Sequence, residues 1–119
     1  MTCRIIVVED EPLIALDIEQ AVVEAEGAVV GMAHTLRDAL AMMDAVPCDG
    51  VVLDANLGGE TAKPIVDRLR TKGVPYVVVS GYTRDQLGFV DNGAPLVGKP
   101  FSFAELTVSI RAHLMKPQA

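Results

Sequence analysis

The chain has 119 residues, half of them hydrophobic, and a net charge of −6. That length suits one compact domain, 1–119, with a sizeable apolar core. The acidic balance argues against nucleic acid and anionic membranes as partners, because both are met by basic faces.

In chain order, residues 4–8 (Arg-Ile-Ile-Val-Val) read as a buried strand. Residues 11–27 read as a helix, with Leu13, Ile14, Ile18, Val22 and Ala25 near one face. Pro12 suits its first turn and Gly27 its C-terminal stop. A second strand is predicted over 28–33. Thr35 can cap a helix over 36–45 that turns Leu40 and Met43 inward. Residues 50–53 form a third strand, followed by a loop over 54–60 that contains Gly58 and Gly59. Thr61 is predicted to cap a helix to about residue 71, on which Arg68, Arg70 and Lys72 read as a solvated face. The β-branched run 74–79 is a fully buried strand. Residues 81–93 hold three glycines and a poor apolar stripe, so a short or mobile helix is expected there. A fifth strand over 95–97 and a closing helix over 102–115 follow, the helix carrying Phe103, Leu106, Ile110 and Leu114 on one face.

This alternation predicts the α/β class. The architecture is (βα)₅, a doubly wound parallel five-stranded sheet joined by right-handed crossovers. Strand order is not written in periodicity; among common layouts, 2-1-3-4-5 fits the length best. The N-terminus lacks the length and cleavage pattern of a signal peptide, and no apolar run approaches the ~20 residues of a membrane span, so a cytoplasmic location is expected. Cys3 and Cys48 read as buried or half-buried thiols, Met32, Met42 and Met43 as core or core-edge packing. His34 and His113 stand alone, which gives no zinc spacing.

Ligands of open parallel sheets bind beyond the carboxyl ends of the strands. Glu9 and Asp10 follow the first strand, Asp54 the third, Ser80 the fourth, and Lys99-Pro100 the fifth; the second ends in Ala33-His34 and offers less. Taken singly, these residues read as helix caps, turn formers and solvated loop. Taken together, they put three carboxylates in one crevice, where either a proton or a cation must relieve the repulsion. A hard divalent cation with oxygen ligands, Mg²⁺, is the simple solution. Lys99 adds the opposite charge and Ser80 a hydroxyl donor. That set is what an aspartyl-phosphate chemistry needs: a carboxylate nucleophile with metal and ammonium to neutralise phosphoryl oxygens.

The segments Ile5-Ile6-Val7-Val8-Glu9-Asp10-Glu11-Pro12, Val52-Leu53-Asp54-Ala55-Asn56-Leu57, Val79-Ser80-Gly81 and Gly98-Lys99-Pro100-Phe101 resemble the receiver domain of two-component response regulators, and the likeness covers essentially the whole chain. The resemblance implies the flavodoxin-like receiver fold. It makes Asp54 the phosphoacceptor, with Glu9, Asp10, Asp54 and the backbone carbonyl of Asn56 holding Mg²⁺. Ser80 and Lys99 would contact the phosphoryl group, and a cis bond would join Lys99 to Pro100. It also implies partners: a histidine kinase or histidine phosphotransfer protein as donor, meeting the first helix and nearby loops, and a downstream protein. Many receivers carry an aromatic residue three positions before the lysine; here it is Leu96. Tyr82, two residues after Ser80, stands where it could take over a signalling role or gate the site. The Ser80-Gly81-Tyr82 run resembles an atypical receiver subgroup with a Thr/Ser-Gly-Tyr signature.

No output module follows Ala119, so output is expected through protein contact, phosphoryl relay or a sink effect on a shared kinase, unless the chain is a piece of a longer protein. The chain is expected to be a signalling domain rather than an enzyme. Three rivals stand beside this reading. A small-molecule phosphotransferase would want a second Asp two residues after the nucleophile, where Asn56 stands. A degenerate receiver would act as a constitutive binding module. A flavodoxin-like cofactor binder would need a phosphate loop where Glu9-Asp10-Glu11 stands.

Overall fold

A computed structural model describes residues 2–90 and 93–115. Seven strands and five helices follow in order: β1 (Cys3–Val8), α1 (Pro12–Glu24), β2 (Gly27–Ala33), α2 (Leu36–Ala45), β3 (Gly50–Asp54), β4 (Asn56–Leu57), β5 (Glu60–Thr61), α3 (Lys63–Lys72), β6 (Tyr76–Ser80), α4 (Arg84–Leu87), β7 (Leu96–Gly98) and α5 (Phe103–His113). The main sheet runs β2-β1-β3-β6-β7, all parallel. This is the predicted 2-1-3-4-5 order, since β6 and β7 are the fourth and fifth strands of the sequence reading.

Period-two alternation sends successive side chains to opposite faces. Ile5, Val7, Val52, Val77 and Val79 meet Ile18 and Val22 of α1, Leu106 and Ile110 of α5, and Leu114 just past its end. Ile6, Val8, Val51, Leu53 and Val78 meet Ala39 and Met43 of α2 and Ile65, Val66 and Leu69 of α3. Each large side chain buried this way contributes about 1.5–3 kcal/mol. Two dry layers therefore hold the sheet rigid while its carboxyl edge stays open to solvent.

Several local expectations need correction. Leu13 is 78% exposed and Phe103 is 44% exposed, so neither joins its helix's buried stripe. The buried face of α1 is instead Ala15, Ile18, Ala21 and Val22. Gly27 does not stop α1. The turn is made by Glu26, which takes a φ of 71° while Gly27 already pairs in β2. Thr61 is not the cap of α3, which starts after Ala62; its hydroxyl accepts from Lys63 N–H at 2.9 Å. The α3 cations are solvent-facing but engaged. Arg68 pairs with Asp44 at 2.8 Å, Lys72 donates to Met43 O at 2.9 Å, and Arg70 donates to Phe89 O at 2.9 Å.

Thr35 caps α2 as expected, accepting from Asp38 N–H. The weak helix within 81–93 is the four-residue α4, closed by a reciprocal Thr83–Gln86 capping box; the part of that prediction at 91–92 lies outside the described residues. The predicted loop 54–60 contains structure. Gly58 and Gly59, with φ of 61° and 90°, make a two-residue turn joining β4 to β5 as an antiparallel ribbon.

Candidate functional site

The strand ends bring the predicted residues together. Glu9, Asp10 and Asp54 each offer a carboxylate oxygen, and these oxygens lie within 4.8 Å of one another. A cleft of about 250 Å³ is lined by Asp10, Asp54, Asn56, Ser80, Tyr82 and Lys99 among others, while Glu9 is fully buried. Lys99 Nζ lies 3.0 Å from Asp54 Oδ2 and 2.9 Å from Glu9 Oε1. The peptide bond between Lys99 and Pro100 is cis.

Backbone contacts fix each acid. Asn56 N–H donates to Asp54 Oδ1 at 3.1 Å, and Glu11 N–H donates to Glu9 Oε2 at 3.2 Å. Gly58 N–H, at the tip of the ribbon, donates to Asp10 Oδ2 at 3.1 Å. The sheet continues this order. Ser80 O accepts from Lys99 N–H at 2.8 Å, and Ser80 Oγ accepts from Tyr82 N–H at 2.9 Å.

Charge follows from burial. Glu9 is fully buried, and burial pushes its carboxyl up to about 8. Lys99 works against that rise, while the Asp10 and Asp54 side chains add to it. Asp10 is held below the usual carboxylate range. Burial opposes its charge, but hydrogen bonding from the Glu9 side chain and Gly58 N–H prevails. Burial likewise opposes the Lys99 charge, yet Glu9 and Asp54 raise its affinity for the proton. Without a metal cation, the carboxylate repulsion would be relieved by a proton held on Glu9 and by the Lys99 ammonium.

Among the described residues, Glu9 Oε1 is a buried oxygen without a hydrogen-bond partner. Lys99 Nζ stands close enough for charge attraction but is not aligned as a hydrogen bond. A deep, under-satisfied carboxylate oxygen beside two further carboxylates suits a hard cation such as Mg²⁺, which takes oxygen ligands and keeps waters.

Residues 5–111 match the response regulator receiver domain family. The chain belongs to that family. PhyR, the phyllosphere-induced regulator of Methylorubrum extorquens, is 34% identical over 124 residues, covering 100% of this chain and 46% of its own length. TcrA, a transcriptional regulatory protein of Mycobacterium tuberculosis, is 36% identical over 92% of this chain and 45% of its own. The chain thus spans about half the length of the curated relatives it matches. Among solved structures, PhyR of Brucella abortus superposes with a TM-score of 0.82 at 31% identity, covering 96% of this chain and 48% of that one. SdrG of Sphingomonas melonis Fr1 superposes with a TM-score of 0.76 at 32% identity, covering 93% of this chain and 95% of that one. The PhyR of Bartonella quintana, 27% identical over 94% of this chain and 48% of its own, TM-score 0.74, is described as an anti-anti-sigma factor.

In this receiver domain, Leu96 opens β7 and packs from the α2–α3 side, so no aromatic ring occupies that position. Tyr82 is 51% exposed. With Asn56 and Gly59 it lines both the carboxylate cleft and an adjoining groove of about 500 Å³. Two participants were not legible in the sequence. Gly58 reads as a loop glycine until the ribbon carries its N–H to Asp10. His34 stands alone in the sequence, but its Nδ1 lies 2.8 Å from the Glu9 carbonyl oxygen. Its position one residue past the second strand was the available signal. Among the described residues, no helix is long and apolar enough to cross a membrane.

Proposed function

We propose that Asp54 is the phosphoacceptor of a two-component signalling domain, receiving a phosphoryl group from a histidine kinase or histidine phosphotransfer protein. The observation that carries this reading is the Lys99 ammonium, within 3.0 Å of both Asp54 and Glu9, beside an open cleft lined by Asp10 and Asp54, with the buried Glu9 carboxylate within 4.8 Å of both acids. Glu9, Asp10, Asp54 and the Asn56 carbonyl would hold Mg²⁺. When bound, the ion supplies charge neutralisation for the phosphoryl oxygens and for the acids themselves.

The chain's own groups do the rest. An Asp54 oxygen attacks phosphorus, a P–O bond forms, and the P–N bond to the donor histidine breaks. The imidazole nitrogen keeps the electron pair and takes a proton from solvent. Asn56 N–H and Lys99 Nζ orient the carboxylate for that attack. After transfer, Lys99 is within reach of the phosphoryl oxygens, and the Ser80 hydroxyl can donate its proton to them while still accepting from Tyr82 N–H. New charge at Asp54 is thereby felt at residues 80–82 and, through the Lys99–Ser80 backbone bond, at β7.

Output runs through protein contact. The acidic surface and the exposed Leu13, Leu16 and Val23 of α1 favour a protein partner over nucleic acid or membrane. The description of the Bartonella quintana PhyR as an anti-anti-sigma factor agrees in kind. Work in the cytoplasm follows from this partner set.

The test is intact mass after incubation with acetyl phosphate and Mg²⁺, beside Asp54→Asn and an EDTA control. A single phosphoryl adduct that needs Mg²⁺ and is absent from Asp54→Asn is expected. If neither acetyl phosphate nor candidate histidine kinases label the wild type, the phosphoacceptor reading fails and a constitutive binding module takes its place.

A further inference from the structure

We infer that His34 is a positioning residue for the acidic site: its Nδ1–H holds the Glu9–Asp10 peptide in the orientation that presents both carboxylates to a divalent cation. The inference rests on the metal reading of the site given above.

β1 ends at Val8, so Glu9 and Asp10 lie beyond regular strand pairing. A residue in that place is free to rotate unless something replaces the ladder. Glu9 N–H is still held, donating to Ala33 O at 3.0 Å. The next group, the Glu9 carbonyl, has no strand partner opposite it, because β2 also ends at Ala33. His34 fills that role with a side chain. Its Nδ1 lies 2.8 Å from Glu9 O. A carbonyl oxygen only accepts, so Nδ1 carries the hydrogen and the ring is the Nδ1–H tautomer or the imidazolium.

The consequence falls on both acids at once. Turning the Glu9–Asp10 peptide swings the Glu9 side chain on one side and Asp10 on the other. The Glu9 side chain is fully buried, with a carboxylate oxygen within 4.8 Å of those of Asp10 and Asp54. Asp10 is anchored at its far end by Gly58 N–H. With Ala33 on one flank and His34 on the other, the peptides on either side of Glu9 are tied to the end of β2 and the residue after it, and the acid triad keeps its spacing within 4.8 Å. The ring itself is exposed and adds little burial, so its contribution lies in direction rather than packing.

The experiment compares wild type, His34→Phe and His34→Asn. Phe keeps a planar ring without a donor. Asn places an amide N–H close to where Nδ1 stands. Mg²⁺ affinity is read by calorimetry, metal-free stability by thermal unfolding in EDTA, and the ring tautomer by imidazole ¹⁵N shifts. Groups that orient metal ligands are worth ~10–100-fold in affinity; acting through a peptide, His34 belongs at the low end. His34→Phe should bind Mg²⁺ about 5–10-fold more weakly. His34→Asn should recover most of that loss, the metal-free melting points of the two variants should agree, and the wild-type ring should show Nδ1–H. Unchanged Mg²⁺ affinity in His34→Phe overturns the positioning role alone. So does equal loss in both variants, or a weakening matched by an equal fall in metal-free stability, since either marks a merely structural residue. Absence of Mg²⁺ binding by wild type overturns the metal reading itself and this inference with it.

Discussion

In EDTA, Glu9 should make the domain lose stability as pH rises, and the size of the loss can be worked from its surroundings. The carboxyl is fully buried and is pushed up from 4.5 to about 8, chiefly by that burial. In the unfolded chain the same group ionises at its ordinary value. Between the two values folded protein holds a proton that unfolded protein has released. A group with a raised folded value contributes stability that is whole below its unfolded value and lost as pH climbs through the folded one. The slope from one such group is up to about 1.4 kcal/mol per pH unit. Across about pH 5 to 8 the upper bound is therefore about 4 kcal/mol, a large share of the ~5–15 kcal/mol that holds a small domain. The neighbours do not blur this window. Asp10 has a lowered value, so its contribution is complete above the ordinary 3.8 and lost only in more acid solution. Cys48, raised by burial from 9.0, acts at the alkaline end. The assay is urea unfolding followed by far-UV circular dichroism, since the chain has no tryptophan, in EDTA at half-unit pH steps. Mg²⁺ requires ionised ligands, so adding it should flatten the slope and raise stability most at the alkaline end. Glu9→Gln keeps the shape without the titration and should give a flat profile. A wild-type stability that is level or rising over this window in EDTA would refute the reasoning, as would the same slope in Glu9→Gln.

Three further outcomes follow from the same contacts. Lys99→Met leaves Asp54 and Glu9 without their cation and should cost about 2 kcal/mol in EDTA, below the ~3–5 of a fully buried pair because the lysine is partly exposed; Mg²⁺ should restore part of it, and acetyl-phosphate labelling of Asp54 should fall sharply. Glu26→Gly relieves a left-handed φ of 71° and should stabilise by about 0.5–1 kcal/mol, read as a melting point several degrees higher, whereas Glu26→Val should lower it. Asp49 Oδ2 accepts from Arg4 N–H at 2.7 Å at the start of β1, so Asp49→Ala should speed amide exchange at Arg4 by about tenfold while Asp49→Asn retains most of the protection.

How much of this was legible beforehand depends on how far each feature reaches along the chain. The sheet and the gathering of the candidate site's side chains at one edge were legible because strands declare themselves locally and parallel topology does the rest. Once 4–8, 50–53, 74–79 and 95–97 are strands in one parallel sheet, Glu9, Asp10, Asp54, Ser80 and Lys99 must emerge on one edge, whatever the loops do. The brevity of α4 was equally local, written in its glycines and sparse apolar residues. Helix faces were less secure. Leu13 fits an apolar period, but it lies in the first turn of α1, beyond the reach of the buried Ile18 and Val22 face, and 78% of it meets solvent. Gly27 looked like a helix stop by composition, yet β1 pairs with β2 from Gly27 onward, and tertiary pairing moved the left-handed turn onto Glu26 despite its Cβ. What remained unreadable is all long-range and polar. Arg68 reaching Asp44 spans 24 residues, His34 reaching Glu9 spans 25, and Gly58 reaching Asp10 spans 48. No period or cap signal encodes such contacts, since each side chain or amide is unremarkable until the fold delivers its partner. The acids of the candidate site were visible because they are charged and sit at strand ends. The groups that aim those acids, a histidine beyond the second strand and a glycine amide at a ribbon tip, become visible only when the backbone's own unpaired donors and acceptors are followed to their partners.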